Sequence, residues 1–142
     1  MWTKEQGARS KGAGTRTLTP VTKMNDDTFE NLEVWQDAID LGARVYELFR
    51  GCPDHAFRTQ LQTAAVSVSN HIAEGYERDS NQEFIRFLFI AKSSCGEVRS
   101  QAYLAKRMKL LAEDRAASLI AEAKRLSKRI ARFIEVRREK FC

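Results

Sequence analysis

Proline is nearly absent, with only Pro20 and Pro53 in 142 residues, so little interrupts long helices. Cysteine is scarce and odd in number: Cys52, Cys95 and Cys142 have no framework spacing. That excludes a disulfide-stapled scaffold and makes the reducing cytoplasm the expected location. Histidine occurs twice, at His55 and His71. No apolar run approaches the roughly 20 residues of a membrane-spanning helix, and the first residues lack the apolar core of a secretory signal. Nothing alternates with period two over a useful length, so no sheet is expected.

What remains is ordinary for one globular domain, with 43% apolar and 30% charged residues. The net charge of +5 is unevenly spread. Residues 1–23 carry five bases and one acid, residues 24–112 ten and thirteen, residues 113–142 nine and five. The basic character therefore sits at the two ends. A basic end can attract nucleic acid through counterion release.

Residues 1–23 are rich in Gly, Ser and Thr and poor in apolar side chains. They cannot bury enough surface to offset ordering entropy, so a disordered tail is expected. Met24, just before the patterned region, reads as an alternative natural start. Residues 24–142 form the expected bundle domain. Leu32, Trp35, Ile39, Gly42, Val45 or Tyr46, and Phe49 recur at helical spacing. Gly51-Cys52-Pro53 ends this first helix. Asp54 is a candidate N-cap for a second, striped by Phe57, Leu61, Ala64, Ala65, Val68 and Ile72. Ser80-Asn81-Gln82-Glu83 is a candidate capping box for a third. Its stripe runs from Phe84 through Cys95 and Val98 to Met108 and Leu111 or Ala112. Glu113-Asp114 suits the acidic first turn of a fourth, faced by Leu119, Ala123, Leu126, Ile130 and Phe133. Short connections imply an all-α, antiparallel up-down-up-down four-helix bundle.

Three motifs carry a resemblance. Leu32-x-Val34-Trp35-Gln36-x-Ala38 resembles the opening motif of a bacterial four-helix bundle family first met as proteins encoded in intervening sequences of large-subunit ribosomal RNA genes. Ser67-Val68-x-x-His71-Ile72-Ala73-Glu74-Gly75 resembles its S-I-x-x-N-I-A-E-G motif. Glu83-Phe84-x-x-Phe87-Leu88-x-Ile90-Ala91-x-x-Ser94-x-x-Glu97 resembles its third. The match spans about residues 29–140. It departs at His71, where the family carries Asn, and at Ser93, where it carries Gly. The resemblance implies a bundle that assembles into a ring, commonly of five subunits, with no enzymatic activity. Relatives in diversity-generating retroelements are accessory proteins that bind nucleic acid and a reverse transcriptase.

His71 and Glu74 share a helix face. One His-x-x-Glu, with His55 four turns away, does not assemble a di-iron constellation, so no metal or cofactor is expected. Ser67 and His71 lack a third group and a nucleophile turn. Ser67, Asn70, His71 and Glu74 read instead as a polar clasp at the seam of helices two and three, with Arg78 or Arg86 as partners. Gly75 either ends the helix or admits another backbone. Cys52-x-x-His55 is a lone pair of ligand types and reads as a connection.

Phe84 to Ala91 is apolar nearly all round. Its excess, Ile85, Phe89 and Ile90, marks a subunit interface, with Val34, Leu41, Val66 and Tyr103 as weaker candidates. Lys124, Arg125, Lys128, Arg129 and Arg132 fall within a sector of roughly 140° on the fourth helix, opposite its apolar face. Around a ring they make a multivalent positive surface. No aromatics interleave, so base-specific recognition is not expected. The leading reading is a non-catalytic, homo-oligomeric scaffold or adaptor. The alternative is a nucleic-acid-binding accessory protein that contacts phosphates, or a protein bound to them, through the fourth helix.

Overall fold

The computed structural model describes residues 28–141, so the expected tail over 1–23 and the candidate start at Met24 lie outside the described residues. A 3-10 turn, Phe29–Asn31, leads into four helices: α1 Glu33–Leu48, α2 His55–Tyr76, α3 Asn81–Arg107 and α4 Glu113–Phe141. The described residues contain no strand. Consecutive helices pack side by side and α4 returns against α1, closing an all-α four-helix bundle.

Local chemistry sets the helix ends. Asp54 Oδ1 accepts the Phe57 N–H at 3.0 Å and starts α2. Ser80 Oγ accepts the Glu83 N–H at 3.1 Å and starts α3. The reciprocal half of the expected capping box is missing, because the Glu83 carboxylate turns to Arg86. That bond holds the Glu83 carboxyl below its ordinary range. Gly51, at φ 82°, follows α1. The α3 terminus is a Schellman turn: Leu110 N–H donates to Ala105 C=O at 2.9 Å and Lys109 N–H to Lys106 C=O at 3.1 Å. Lys109 occupies the left-handed position at φ 60°.

The core takes the 3–4 stripes of all four helices. Leu41, Val45 and Phe49 meet Leu61, Val68 and Ile72 of α2, Leu88, Cys95 and Val98 of α3, and Leu119 and Ile130 of α4. Burying each large side chain is worth about 1.5–3 kcal/mol. Three expectations are corrected at the stripe edges. Ile39 is exposed, because the α1 stripe runs through Ala38 and Leu41. Of the two alternatives Val45 and Tyr46, Val45 is the buried one. Ile134 takes the buried position expected of Phe133, which is half-buried and meets Phe84 edge-on at 5.8 Å. Met108, where the α3 stripe overruns the core, is exposed while Leu111 closes that end.

Candidate interaction faces

The α2–α3 seam contains the polar residues singled out above. Gly75 lies inside α2, one residue before its end. A Cβ there would sit 2.6 Å from Phe87 Cβ and 3.1 Å from Phe84 Cδ1. Gly75 is therefore a close-approach position, and α3 crosses α2 where any side chain would collide. Farther along the seam, Ser67 Oγ lies 2.8 Å from Ser94 Oγ and bridges the helices.

His71 Nδ1 lies 2.8 Å from the Ser67 carbonyl oxygen and 2.9 Å from Ser67 Oγ. A carbonyl can only accept, so Nδ1 carries a proton and donates. It cannot then take a proton from Ser67, as a Ser–His nucleophile pair requires. The His71 ring stacks on Phe87 at 5.9 Å. Arg78 and Arg86 lie over the same ring at 4.7 and 4.8 Å. Phe87 is thus buried but sits outside the main core, covered by one imidazole and two guanidiniums.

The clasp is narrower than the sequence implies. Ser67 and His71 belong to it, joined by Ser94. Asn70 is exposed. Glu74 is exposed and pairs at 3.0 Å with Arg78, just past the end of α2, rather than across to α3. Such a pair contributes about 0.3–0.5 kcal/mol. No group of three or more metal-ligating side chains occurs among the described residues. Cys95 is buried, and desolvation pushes its thiol up to about 12, which leaves it unreactive.

The α4 face divides between two roles. Lys124, Arg125, Lys128 and Arg132 are exposed. None of the described acids forms an ion pair with Lys124, Lys128 or Arg132. Arg129 is instead tied to α1, bound to Asp37 and 4.0 Å from Glu33. Arg44 of α1 lies 3.0 Å from Glu122 of α4. The α1–α4 seam is thus latched by charge, and sequence spacing alone does not reveal which base is claimed. Beside it lies an open apolar groove lined by Leu32, Val34, Phe133 and Val136.

The expected interface residues also divide. Ile85 is buried in the core, where the bundle uses it, and is removed from the candidate interface. Phe89 is 42% exposed, with Arg138 of α4 lying 5.3 Å from its ring. Ile90 is half-buried. Tyr103, Leu104 and Met108 are exposed farther along α3. Of the weaker candidates, Val34 and Leu41 are core residues and Val66 is half-buried.

Residues 30–132 match the sequence profile described as 23S rRNA-intervening sequence protein. The chain belongs to this family. A 23S rRNA-intervening sequence protein is thus a four-helix bundle in this instance, and solved structures agree. A protein of unknown function from the S23 ribosomal protein family of Bacteroides thetaiotaomicron superposes with a TM-score of 0.66 at 18% identity. The alignment covers 71% of this chain and 97% of that one. At that identity the likeness carries the fold alone. No curated protein matches the chain. No described helix is long and apolar enough to cross a membrane.

Proposed function

We propose that the chain is a non-catalytic, homo-oligomeric bundle that serves in the cytoplasm as a scaffold or adaptor. One observation carries this reading. The core is filled by four helices, yet α3 and its C-cap keep Phe89, Tyr103, Leu104 and Met108 between 42% and 56% exposed. Exposed apolar side chains on a bundle whose core is already filled fit a contact with another chain. The family resemblance implies a closed ring, commonly of five copies. The His71 proton assignment supports a non-catalytic role, because Nδ1 donates to the Ser67 carbonyl while Ser67 Oγ bridges to Ser94 of α3. Light scattering tests assembly. The wild type should be an oligomer at micromolar concentration, and Phe89→Asp should yield a smaller, still helical species. A monomeric wild type would overturn the reading.

A second reading rests on the exposed α4 bases: sequence-indifferent contact with nucleic-acid phosphates. Lys124, Lys128 and Arg132 recur every four residues, so each copy presents a line of charge along one helix. Reversing these three to Glu should weaken binding and flatten its salt dependence, and absent binding by the intact protein at low salt would refute this reading.

A further inference from the structure

The groove beside the α1–α4 latch joins apolar surface to free charge. α1 begins against residues 129–136 of α4, and α4 runs on to Phe141. Leu32, Val34, Phe133 and Val136 make the apolar lining, with Arg129 and Arg132 beside them. The volume is about 290 Å³, short of the roughly 300–1,000 Å³ of small-molecule sites. Such a space suits one or two side chains. Arg129 is spent on Asp37 and Glu33. Arg132 is exposed, as is Lys140, which continues the line of Phe133 and Val136 along α4. No ion pair joins either base to a described acid.

The chain arrives at the bundle close to this groove. Thr28 is extended, at φ −132° and ψ 157°, and the 3-10 turn follows it directly. Asn31 N–H donates to Thr28 C=O at 3.2 Å and Leu32 N–H to Phe29 C=O at 2.9 Å. Those bonds keep Thr28 near Leu32, which lines the groove. Met24 precedes Thr28 by four residues, a reach of up to about 14 Å. It is the first large apolar residue counted back from Thr28, and Asp26 and Asp27 stand between the two. The groove offers apolar surface and a guanidinium that no described acid holds. The four residues before Thr28 carry one large apolar side chain and two carboxylates.

We infer that residues 24–27 fold back over the groove as a strap, Met24 entering between Val34 and Val136 while Asp26 and Asp27 meet Arg132 and Lys140. A side chain on so short a tether meets the groove at an effective concentration on the order of mM. A separate partner competes at a disadvantage. The shortest loop also costs least to close, which favours Met24 over Val21 or Leu18. Strap and polyanion would be rivals for Arg132, one of the three α4 bases in the phosphate-contact reading. The inference does not depend on the assembly reading.

Disulfide trapping in the full chain tests it. Met24→Cys is paired with Val136→Cys in one protein and with Glu135→Cys in another. Both carry Cys142→Ser, which leaves only the buried Cys52 and Cys95 as native thiols. Glu135 lies at the same height on α4 but is exposed and turned about 100° from Val136. The 24–136 disulfide should close at least about tenfold faster, because docking raises the local thiol concentration at one position and not the other. Equal rates at the two positions would overturn the strap. A 24–136 disulfide formed only between chains would place a second copy in the groove and also overturn it. The charge pairing has its own readout in the otherwise native chain, which serves should Val136→Cys lose its circular dichroism. Arg132→Glu should quicken amide exchange at Leu32, and adding Asp26→Lys and Asp27→Lys should restore it. Exchange unmoved by Arg132→Glu, or not restored by the swap, would refute the pairing.

Discussion

Gly75→Ala tests how closely α2 and α3 approach. The added methyl would lie 2.6 Å from Phe87 Cβ, about 1 Å inside van der Waals contact, and 3.1 Å from Phe84 Cδ1. Phe87 Cβ is fixed to its backbone and cannot rotate away, so the helices must separate. The Ser67–Ser94 bond and the His71–Phe87 stack cross the same seam and would loosen with them. Overpacking costs about 1–3 kcal/mol, and a lost hydrogen bond about 0.5–1.5 kcal/mol. Replacing a helical Gly by Ala returns about 0.8–1 kcal/mol. The clash wins, with a net loss of about 1–3 kcal/mol. For a chain of this size that lowers Tm by roughly 3–15 °C, measurable by circular dichroism. Hydrogen exchange should quicken first in the second half of α2 and the first half of α3. An unchanged or raised Tm would refute the close-approach assignment.

Lys109→Gly should stabilise the chain by about 0.5–1 kcal/mol, because a left-handed backbone strains any residue with a Cβ; a loss in urea titration would show that the Lys109 side chain holds the turn. Glu122→Gln addresses the α1–α4 latch. Desolvation raises the Glu122 carboxyl above its ordinary 4.5, and Arg44 only partly opposes this. An acid with a raised folded pKa holds its proton longer in the folded state, so stability falls as pH climbs from 4.5 through the folded value. The Gln variant should lack that slope and be at least as stable at neutral pH. Lower stability at pH 7 with equal stability at pH 4 would show the ion pair to be net favourable.

Most of the fold was legible because helix burial follows a simple period. Phe49, Leu61, Leu88 and Leu119 recur with their stripe neighbours every three or four residues, and all four are fully buried. Asp54 and Ser80 were legible for a related reason: a cap acts within one turn of its own chain. The failures lie at stripe edges. Ile85 and Phe89 stand only about 40° apart on the helical wheel, yet one is core and the other 42% exposed. Sequence period gives the angle but not the width of the partner that covers it.

The interaction faces were less legible because they depend on what another helix places opposite. Lys128 and Arg129 are neighbours of the same charge in one stripe. The difference between them is made on α1, where Asp37 and Glu33 take Arg129. Gly75 and Gly42 look alike in the sequence, but Phe87 presses on one and nothing in the chain presses on the other. His71 reads from the sequence as part of a polar clasp, but which atoms it joins is set by the Ser67 carbonyl, which takes the proton on Nδ1, and by Phe87 of α3, on which the ring stacks. In each case spacing placed the residue on its helix, and the facing helix decided its role.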